Sequence, residues 1–475
     1  MKDNKKIVIV GAGTAGYVTA LILKAKFEKT IDITIIKSKD IGIVGVGEGS
    51  TEHWKEFLKY TKIKPELMIK ECGATFKSGI MFQGWGTKNY LHNVNAEYQF
   101  YHGQENLAYL KLMIDDKLLT NKESLNNFIS KETVPHQYHF DTFKLNKFLE
   151  KTSKERDINI IDDVIEKVVI STKGITSIQS KDKKYTADLF IDCTGFKKVL
   201  IKGLKAKWKS YKKYLKVNSA FTFQTPDEEN YNLWTLAKAM KFGWRFKIPV
   251  QGRHGNGYIF CDKYTNTEKG KLEVEKELGH KITIGREFKF DPGRLDKVWI
   301  KNCVAIGLSA NFVEPLEATS IGTSINQAFL LVHNLSNVNQ YVRDQYNKQV
   351  AGIMDNIRDF IYLHYLSWNR HNWFWKNFTY QNAPPSLTKL LNLWRRRLPI
   401  EDDIGGSHYK LFYARNFSHV LYGIDFFYKE SLLKQYEDLP FAPKNATEEY
   451  LKKVGSSKYD YVTHKQYIEQ IKDLI

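Results

Sequence analysis

Two carboxylates, Glu314 and Glu317, lie three residues apart in the segment EPLEATS, which follows the apolar run NCVAIGLSANF. The next residues, ATSIGTSINQAFLLVHNL, have the apolar spacing of a helix. Acidic side chains at a helix N-terminus complement the helix dipole, and the free backbone N–H groups there bind anions. The segment therefore combines a candidate proton acceptor, Glu317, with a candidate anion site at the start of a helix.

A strand, a glycine turn, a helix and a second strand follow one another at the N-terminus. Their sequences are KKIVIV, GAGTAG, YVTALILKAKF and IDITIIKS, and this order is the context in which G-x-G-x-x-G binds a dinucleotide. The predicted contacts in the turn are Gly11, Gly13, Thr14, Ala15 and Gly16. A glycine-rich turn without a ligand is the alternative interpretation.

The second strand ends in Lys37 and Ser38, where a dinucleotide site usually carries an acid for the ribose hydroxyls. Ser38 can still form a ribose hydrogen bond. FAD fits the rest of the chain better than NAD, because two apolar runs far downstream, DLFIDCTGF and VWIKNCVAIGLSANFVEP, read as strands that return to the nucleotide domain. Such returns after long insertions are typical of FAD proteins with an inserted substrate domain.

Eight segments, spanning roughly residues 5 to 330, resemble those of flavin-dependent halogenases of the tryptophan halogenase family. They are GAGTAG, VGVGEGST, GATFKSGIMFQGW, FYHG, YHFDTFKLNKFL, DLFIDCTGF, FGWRFKIP and NCVAIGLSANFVEPLEATSIG. The resemblance implies an α/β fold with a Rossmann-like FAD-binding domain of the GR2 type, an inserted mixed β-sheet and a C-terminal helical cap. It also implies that a flavin hydroperoxide oxidises halide to hypohalous acid, which passes through a tunnel to a separate aromatic substrate.

The resemblance assigns roles to particular residues. Lys77 in ATFKSG and Glu317 in EPLEATS match the catalytic pair, and the peptide groups of Thr319 and Ser320 match the halide cradle. Family members commonly have Ser and then Thr-Gly after the Glu, whereas this chain has Ala318, Thr319 and Ser320. That difference matters most if the backbone there requires a positive φ. The other implied cofactor contacts are Ser38, Val46, Gly47, Glu48, Val164, Leu308 and Ile321.

The segment GWRFKIP matches the W-x-W-x-I-P box of the family, with Phe246 in place of the second Trp. Trp244 and Phe246 alternate along a strand-like segment, so both side chains are expected to face one way. Ile248 continues that face, and Pro249 is expected to end the segment. Such a wall keeps flavin and organic substrate apart, which prevents direct hydroxylation. Core packing is the alternative for aromatic residues at period two.

Two roles are open for Lys77. As an ammonium it donates hydrogen bonds to hypohalous acid, and as a free amine with a pKa lowered by burial it forms a haloamine. Glu317 is expected to hold the halogen species or to accept the proton that the arene loses. Partial burial is expected to raise its pKa. A surface position is the alternative for a lysine in so lysine-rich a chain.

Beyond residue 330 the resemblance is weaker. Residues 345–378 and 387–399 are predicted helices that cap the substrate pocket. His102 matches one half of the family's stacking pair, but Gln104 stands where Phe is common. The segment that clamps the amine and carboxylate of tryptophan is not found, so an indole or phenol other than free tryptophan is a candidate substrate.

Further aromatic and imidazole side chains follow in the same region. Trp368, Trp373 and Trp375 either line an altered pocket or pack in the core. His364 and His371 have no metal-ligand partners at a suitable spacing, so they are predicted to be structural or exposed, and no metal is expected.

The 475 residues carry a formal net charge of +19. Lys and Arg are mixed with acids along the chain, without a basic run interleaved with aromatic residues, which indicates a solvated surface rather than nucleic-acid binding. Four separated cysteines without a CxxC pair argue against a zinc site or disulfide framework and favour the cytoplasm. The apolar N-terminus is attributed to the nucleotide motif rather than to a signal peptide, and no membrane span is expected.

The motif order divides the chain into FAD-binding parts at 1–90, 151–200 and 296–345, substrate-side segments at 91–150 and 201–295, and a helical cap at 346–475. We predict an FADH2- and O2-dependent halogenase of electron-rich aromatic compounds. An FAD-dependent aromatic hydroxylase is one alternative, and a flavoprotein acting as a basic binding module is another. A separate NAD(P)H–flavin reductase is expected as a partner, because no second flavin or NADH motif is visible. A homo-oligomer is one state that the sequence allows.

Overall fold

A computed structural model of the chain describes residues 4–39, 42, 47–94, 103–131, 133–367, 372–405, 409–438, 442–456 and 460–473. Its strands, in chain order, are β1 Lys5–Val10, β2 Ile31–Lys37, β3 Glu48–Gly49, β4 Thr75–Lys77, β5 Gly79–Gln83, β6 Tyr90–Asn93, β7 Phe128–Ile129, β8 Gln137–Phe140, β9 Asn159–Asp162, β10 Lys167–Ser171, β11 Gly174–Gln179, β12 Lys184–Tyr185, β13 Leu189–Asp192, β14 Trp208–Ser210, β15 Ser219–Pro226, β16 Trp234–Met240, β17 Gly243–Val250, β18 Arg253–Phe260, β19 Arg286–Lys289, β20 Gly293–Leu295, β21 Trp299–Ile300, β22 Cys303–Ala305, β23 Asn311–Phe312 and β24 Val462–Thr463.

The α-helices of the described residues complete the element order. They are α1 Thr14–Phe27, α2 His53–Thr61, α3 Glu66–Cys72, α4 Gly103–Ile114, α5 Leu119–Asn126, α6 Thr142–Glu155, α7 Thr267–Leu278, α8 Thr319–Asn334, α9 Gln340–Tyr365, α10 Pro385–Trp394, α11 Glu401–Ile404, α12 Ala414–Gly423, α13 Lys429–Asp438, α14 Ala442–Ser456 and α15 His464–Asp473.

The first sheet has the strand order β21-β22-β13-β1-β2-β9, and the strands from β22 to β9 are parallel. Its central strand, β1, is flanked by β2 and by β13, which lies about 180 residues downstream. Parallel strands buried on both faces are nearly all apolar, as the sequence of β1 is. The two downstream apolar runs thus return to the nucleotide domain as predicted, and the Rossmann-like part of the fold class is confirmed.

The second sheet has seven strands in the order β19-β15-β18-β17-β16-β5-β6. All neighbours are antiparallel except β16 and β5, which are parallel, so the sheet is mixed as predicted. The strand with the aromatic box, β17, lies inside this sheet between β16 and β18. The Lys77 strand, β4, pairs instead with β8 in a small separate sheet.

The C-terminal part is helical, as predicted. Helix α9 ends at Tyr365, well before the predicted end at residue 378, and the chain then turns so that the ring of Phe378 stacks on that of Tyr365 at 4.1 Å. Helix α12 packs on β6 and α9, and α15 packs on α3. Among the described residues, the helices are all too short or too polar to cross a membrane.

Candidate active site

The N-terminal glycine turn has the shape that a dinucleotide pyrophosphate needs. Gly11 has a φ of 107°, and a Cβ there would lie 2.2 Å from the carbonyl oxygen of Cys193. A Cβ on Gly16 would lie 2.0 Å from the Gly11 carbonyl oxygen, so helix and turn meet closely. A Cβ on Gly13 would meet nothing within 4 Å, which leaves this side of the turn open. The free N–H groups at the start of α1, which begins at Thr14, complete a donor set that fits a pyrophosphate.

A cavity of about 190 Å³ contains many of the predicted contacts. Its lining includes Gly47, Glu48, Phe246, Ile248, Leu308, Ser320 and Ile321. Most of the remaining lining is apolar or aromatic, as expected of a site for a planar ring system. Burial raises the pKa of Glu48 to about 7. The structure thus brings four predicted cofactor contacts into one cavity with the predicted halide residue Ser320 and two residues of the aromatic box, and a cavity with this lining fits the isoalloxazine ring of FAD.

At the adenosine end, Lys37 is paired with an acid that the sequence did not reveal. Glu150 on α6 accepts hydrogen bonds from the Lys37 ammonium at 2.7 and 2.8 Å and from the Tyr17 hydroxyl at 3.2 Å. Burial raises the pKa of Glu150, but Lys154 and Lys37 outweigh it and hold that pKa at about 2. A carboxylate is therefore present beside the end of β2, supplied by a different element.

Two further predicted cofactor contacts, Ser38 and Val164, lie outside the cavity. Ser38 directly follows β2, and Val164 is exposed in the segment after β9, the neighbour of β2. Val46 lies outside the described residues.

Lys77 is buried, as its apolar setting suggested. Its ammonium donates to the carbonyl oxygen of Ser50 at 2.8 Å. A methyl group on Gly49 would lie 3.4 Å from the Lys77 nitrogen and 3.1 Å from Ala318 Cβ, so Lys77 and the residue after Glu317 meet at this glycine. Burial lowers the pKa of Lys77 to about 8, against the opposing effect of the Glu317 charge.

Glu317 is buried between two histidines. Its carboxylate oxygens lie 2.9 and 3.0 Å from His92 Nδ1, and one of them lies 2.8 Å from His364 Nε2. Burial raises the pKa of Glu317, but the two imidazoles outweigh that effect and lower it to about 2. The expectation that burial would leave a raised pKa is therefore wrong, because the imidazole donors stabilise the ionised form.

Glu314, the other acid of the EPLEATS segment, is held by hydrogen bonds from two aromatic side chains. It is buried and accepts hydrogen bonds from the indole N–H of Trp244 and the hydroxyl of Tyr365, both at 2.6 Å. Burial raises its pKa to about 7. Helix α8 begins at Thr319 and has no acid in its first turn, and Glu317 stands directly before the N-cap residue Ala318, so the dipole role of Glu314 and Glu317 stays a prediction.

The aromatic box forms a buried wall. The rings of Trp244 and Phe246 are 6.2 Å apart on β17, and Phe246 and Ile248 face the cavity. Pro249 does not end the strand, which continues to Val250. Pro249 has no N–H to donate. This is tolerated because β16 pairs only with residues 243–247 of β17, and so no longer pairs with the strand at Pro249.

The predicted halide cradle lies at the start of α8. Ala318 has a φ of 54° and is the residue before the helix, whereas Thr319 and Ser320 belong to its first turn. Replacement of glycine at Ser320 therefore costs no backbone strain, because the left-handed position is Ala318. Ser320 lines the cavity, and the first N–H groups of α8 have no intrahelical partner.

The aromatic and imidazole residues further along divide into several groups. Trp375 is buried and packs between Trp85 and Tyr365, whereas Trp373 is 76% exposed. His364 is buried against Glu317, and with His92 and Glu317 it forms a group of three potential metal ligands within 4.8 Å. The expectation that His364 lacks such neighbours is wrong. His102, Trp368 and His371 lie outside the described residues.

Sequence reasoning missed His92 and Glu150. His92 lies in the strand YLHN, 225 residues before its partner Glu317. Glu150 lies 113 residues after Lys37. Neither has a local signal, since a lone histidine in a strand and a glutamate on a charged helix are common. Only the sheet order places them beside their partners.

A glycine turn that fits a pyrophosphate, a largely apolar cavity that fits a flat ring, and a buried lysine and a buried glutamate whose charges interact are the features expected of a flavin-dependent enzyme. The comparisons with known proteins agree. A family model described as Tryptophan halogenase matches residues 6–432. The chain belongs to the tryptophan halogenase family and is a flavin-dependent halogenase.

Individual relatives span nearly the whole chain. The tryptophan 6-halogenase SttH of Streptomyces toxytricini is 29% identical over 465 residues, covering 85% of this chain and 86% of that protein. The 7-chloro-L-tryptophan 6-halogenase KtzR of Kutzneria sp. strain 744 is 30% identical over 447 residues, covering 84% and 86%. The solved structure of a tryptophan halogenase from Shewanella frigidimarina superposes with a TM-score of 0.86 at 25% identity, covering 99% of this chain and 98% of that one.

Proposed function

We propose that this chain uses FADH2, O2 and a halide to halogenate an electron-rich aromatic ring, with Lys77 and Glu317 directing the halogen. The observation that carries the proposal is that Lys77 and Ala318, the residue after Glu317, meet at Gly49, which lines the cavity of predicted flavin contacts, and that the Glu317 charge acts on the buried Lys77 ammonium. Bound reduced FAD supplies, with O2, the oxidation of halide to hypohalous acid. The glycine turn would hold its pyrophosphate, and the cavity would hold its ring.

The wall at Trp244 and Phe246 divides the two halves of the reaction. Trp244 is fixed by its hydrogen bond to Glu314, and the Phe246 ring faces the flavin side. Such a wall keeps the organic substrate away from the flavin and passes only a small oxidant. The free N–H groups at Thr319 and Ser320 would hold the halide on the flavin side.

During the substitution, Lys77 would donate one proton and Glu317 would accept another. One N–H of Lys77 is used by the Ser50 carbonyl, and the other two are left to hold the oxygen of hypohalous acid. As the arene carbon bonds to the halogen, the O–halogen bond breaks, and Lys77 donates a proton so that water leaves. Glu317 accepts the proton lost from the ring carbon. Once Glu317 has released its proton and Lys77 has regained one, the sum is arene plus hypohalous acid giving haloarene plus water.

The substrate class we propose is an indole or a phenol. Both rings are rich enough in electrons to react with hypohalous acid, and the relatives SttH and KtzR carry names that describe action on tryptophan, an indole. The missing amino-acid clamp favours an indole other than free tryptophan. A separate NAD(P)H–flavin reductase is the partner we propose, in the cytoplasm.

A product assay tests the proposal. The protein is incubated with FAD, a flavin reductase, NADH, O2, bromide or chloride and a panel of indoles and phenols, and the products are identified by mass spectrometry. Halogenated product is expected from the wild-type protein. Lys77→Ala should keep flavin oxidation and lose halogenation, whereas a change at an exposed lysine, Lys212→Ala, should change neither.

One feature favours the alternative, direct hydroxylation. Phe246 is a smaller wall residue than the second Trp of the family's box. Hydroxylated product without halogenated product in the same assay would establish the hydroxylase instead. A Phe246→Trp variant should lower any hydroxylated side product and leave the halogenated product in place.

A further inference from the structure

The surroundings of Glu317 hold more than a single catalytic carboxylate needs. His92 on β6, Glu317 before α8 and His364 on α9 come from three distant elements, and all three side chains are at most 2% exposed. The carboxylate is in direct hydrogen-bond contact with both imidazoles. Burying one ionised carboxylate is costly unless its donors compensate, so the protonation of the two histidines decides its charge.

The hydrogen bonds of His364 determine its protonation. Nδ1 lies 2.8 Å from the carbonyl oxygen of Phe360, and Nε2 lies 2.8 Å from a carboxylate oxygen of Glu317. Both neighbours are acceptors, so both ring nitrogens must donate. Only the imidazolium form has two N–H groups. His364 is therefore the positively charged partner of Glu317.

His92 has a different pattern. Its Nδ1 faces Glu317, and its Nε2 lies 3.2 Å from the side-chain amide nitrogen of Asn416. The orientation of that amide is fixed, because Asn416 Oδ1 accepts the backbone N–H of Tyr413 at 2.9 Å. Nε2 of His92 must therefore accept, and Nδ1 donates. His92 is neutral.

We propose that His92 and His364 are positioning residues that fix the orientation and the negative charge of Glu317, His364 as an imidazolium and His92 as a neutral imidazole. The inference rests on the proposed halogenation, in which Glu317 accepts the proton of the ring carbon. An ionised Glu317 is ready for that proton over the whole physiological pH range. The carboxylate cannot rotate away from the substrate, because a donor holds it from each side.

Among the described residues, the other titratable groups that face this cluster carry no second negative charge. His419 on α12 lies 5.8 Å from His92 between ring centroids, and burial lowers its pKa well below the ordinary value, so it is neutral. Burial raises the pKa of Tyr90 on β6 well above its ordinary value, so its hydroxyl is also neutral. Lys77 on β4 is a further cation on which the Glu317 charge acts, and Arg415 on α12 acts on His419. Glu317 is thus the acid whose titration the two histidines control.

The same three side chains could also be read as a metal centre of two histidines and one carboxylate. A metal bound at His92 Nδ1 would require the proton on Nε2. That N–H would then point at the amide N–H2 of Asn416, whose orientation is fixed by Tyr413. The hydrogen-bond pattern therefore favours a proton-bearing cluster.

Glu314 shows what Glu317 would become without its charged partner. It is equally buried and accepts from two neutral donors, the Trp244 N–H and the Tyr365 O–H, and its pKa is about 7. His364→Gln would leave Glu317 with two neutral donors in the same way. Protonation of Glu317 should then reach the physiological range.

The test is the pH dependence of halogenation by His364→Gln and His92→Gln proteins. His364→Gln should show a new acid limb near pH 7, so that halogenation falls about tenfold from pH 8 to pH 6 relative to the wild type. His92→Gln keeps the imidazolium, so it should lower the rate without an acid limb. The exposed His280→Gln is the matched control. Flavin oxidation and its pH profile should stay as in the wild type in all three.

Matching pH profiles for His364→Gln and the wild type would overturn the proposal, as would an acid limb in His92→Gln alone. Loss of wild-type halogenation on treatment with EDTA, restored by a divalent metal, would overturn it in favour of the metal centre.

A second measurement does not depend on the variants. Protein labelled with 15N-histidine should show one buried imidazole, assigned by its loss in His364→Gln, that keeps both ring protons at pH 8, and the His92 ring with one. A neutral His364 would overturn the proposal. If the wild-type protein halogenates nothing, the proposed function fails, but this measurement still decides the protonation of the cluster.

Discussion

At the scale of single residues, three buried ionisable groups of the site have their pKa values set by different causes. Burial outweighs the Glu317 charge and lowers the pKa of the Lys77 ammonium to about 8, and it outweighs two hydrogen bonds and raises the pKa of the Glu314 carboxyl to about 7. At Glu317 the imidazoles outweigh burial and bring the pKa to about 2. Two carboxyl groups three residues apart thus differ in charge at pH 6, one largely protonated and one ionised. Sequence patterns identify both acids, but only their partners assign the roles.

The pKa of Lys77 predicts an alkaline limit of halogenation. The ammonium is the major form below pH 8 and is lost above it, by about tenfold per pH unit. If the ammonium holds hypohalous acid, halogenation by the wild-type protein should fall above pH 8 while flavin oxidation does not. Initial rates of product formation between pH 6 and pH 10, with the reductase in excess, measure this limit.

Lys77→Arg separates the ammonium from the amine, because a guanidinium keeps its charge throughout this range. Any activity left in that variant should lack the alkaline limb. A wild-type rate that instead rises above pH 8 would contradict the ammonium role and favour the haloamine.

At the scale of elements, the site depends on the close approach of β3, β4 and the residue before α8. Gly49 of β3 is where they meet, since a methyl group there would crowd Ala318 Cβ at 3.1 Å and the Lys77 nitrogen at 3.4 Å. These elements lie far apart in the chain. The family resemblance marked the segments VGVGEGST, GATFKSG and EPLEATS, but the sequence predicted neither the strands β3 and β4 nor a glycine without positive φ between them.

Gly49→Ala is therefore expected to displace Lys77 or Ala318 by a few tenths of an ångström. Because catalysis depends on such positioning, halogenation should fall at least tenfold while the protein stays folded and still binds FAD. Gly352→Ala is the control, since Gly352 is an exposed residue of α9 with no atom within 4 Å of an added Cβ. That change should leave activity intact and raise Tm slightly. Equal effects of the two changes would contradict the prediction.

At the scale of the whole molecule, the features that the sequence predicts are those marked by a local residue pattern or by motifs in a fixed order along the chain. The two returning strands and the aromatic box are apolar runs bounded by turn residues, and the structure forms each of them as a strand. The glycine turn lies between a strand and a helix, as its motif predicts. The contacts that complete the site are long-range pairs such as His92 with Glu317 and Lys37 with Glu150. Their residue types are common, so no pattern marks them, and the order of strands in two sheets decides which of them meet.

The last helix, α15, is joined to the active site through one buried side chain. His464 Nε2 accepts the backbone N–H of Phe76 at 2.9 Å, and Nδ1 donates to the carbonyl oxygen of Tyr231 at 3.2 Å. Burial lowers the pKa of His464 to about 3, so the imidazole is neutral and serves as both acceptor and donor. Phe76 immediately precedes Lys77 on β4, so α15 supports the strand that positions Lys77, the lysine to which we assign a catalytic role.

His464→Ala should leave the Phe76 N–H and the Tyr231 carbonyl without partners, at a cost of about 1–3 kcal/mol for each buried group. We expect a lower Tm and, at a temperature where the protein is still folded, slower halogenation with little change in FAD affinity, because the flavin cavity does not include this region. Thermal unfolding, flavin titration and product formation measure the three effects. His280→Ala, at an exposed position, should change none of them. A parallel loss of FAD affinity and halogenation would instead show that α15 supports the whole fold rather than the Lys77 strand. In that case the flavin cavity and the Lys77 site would be lost together.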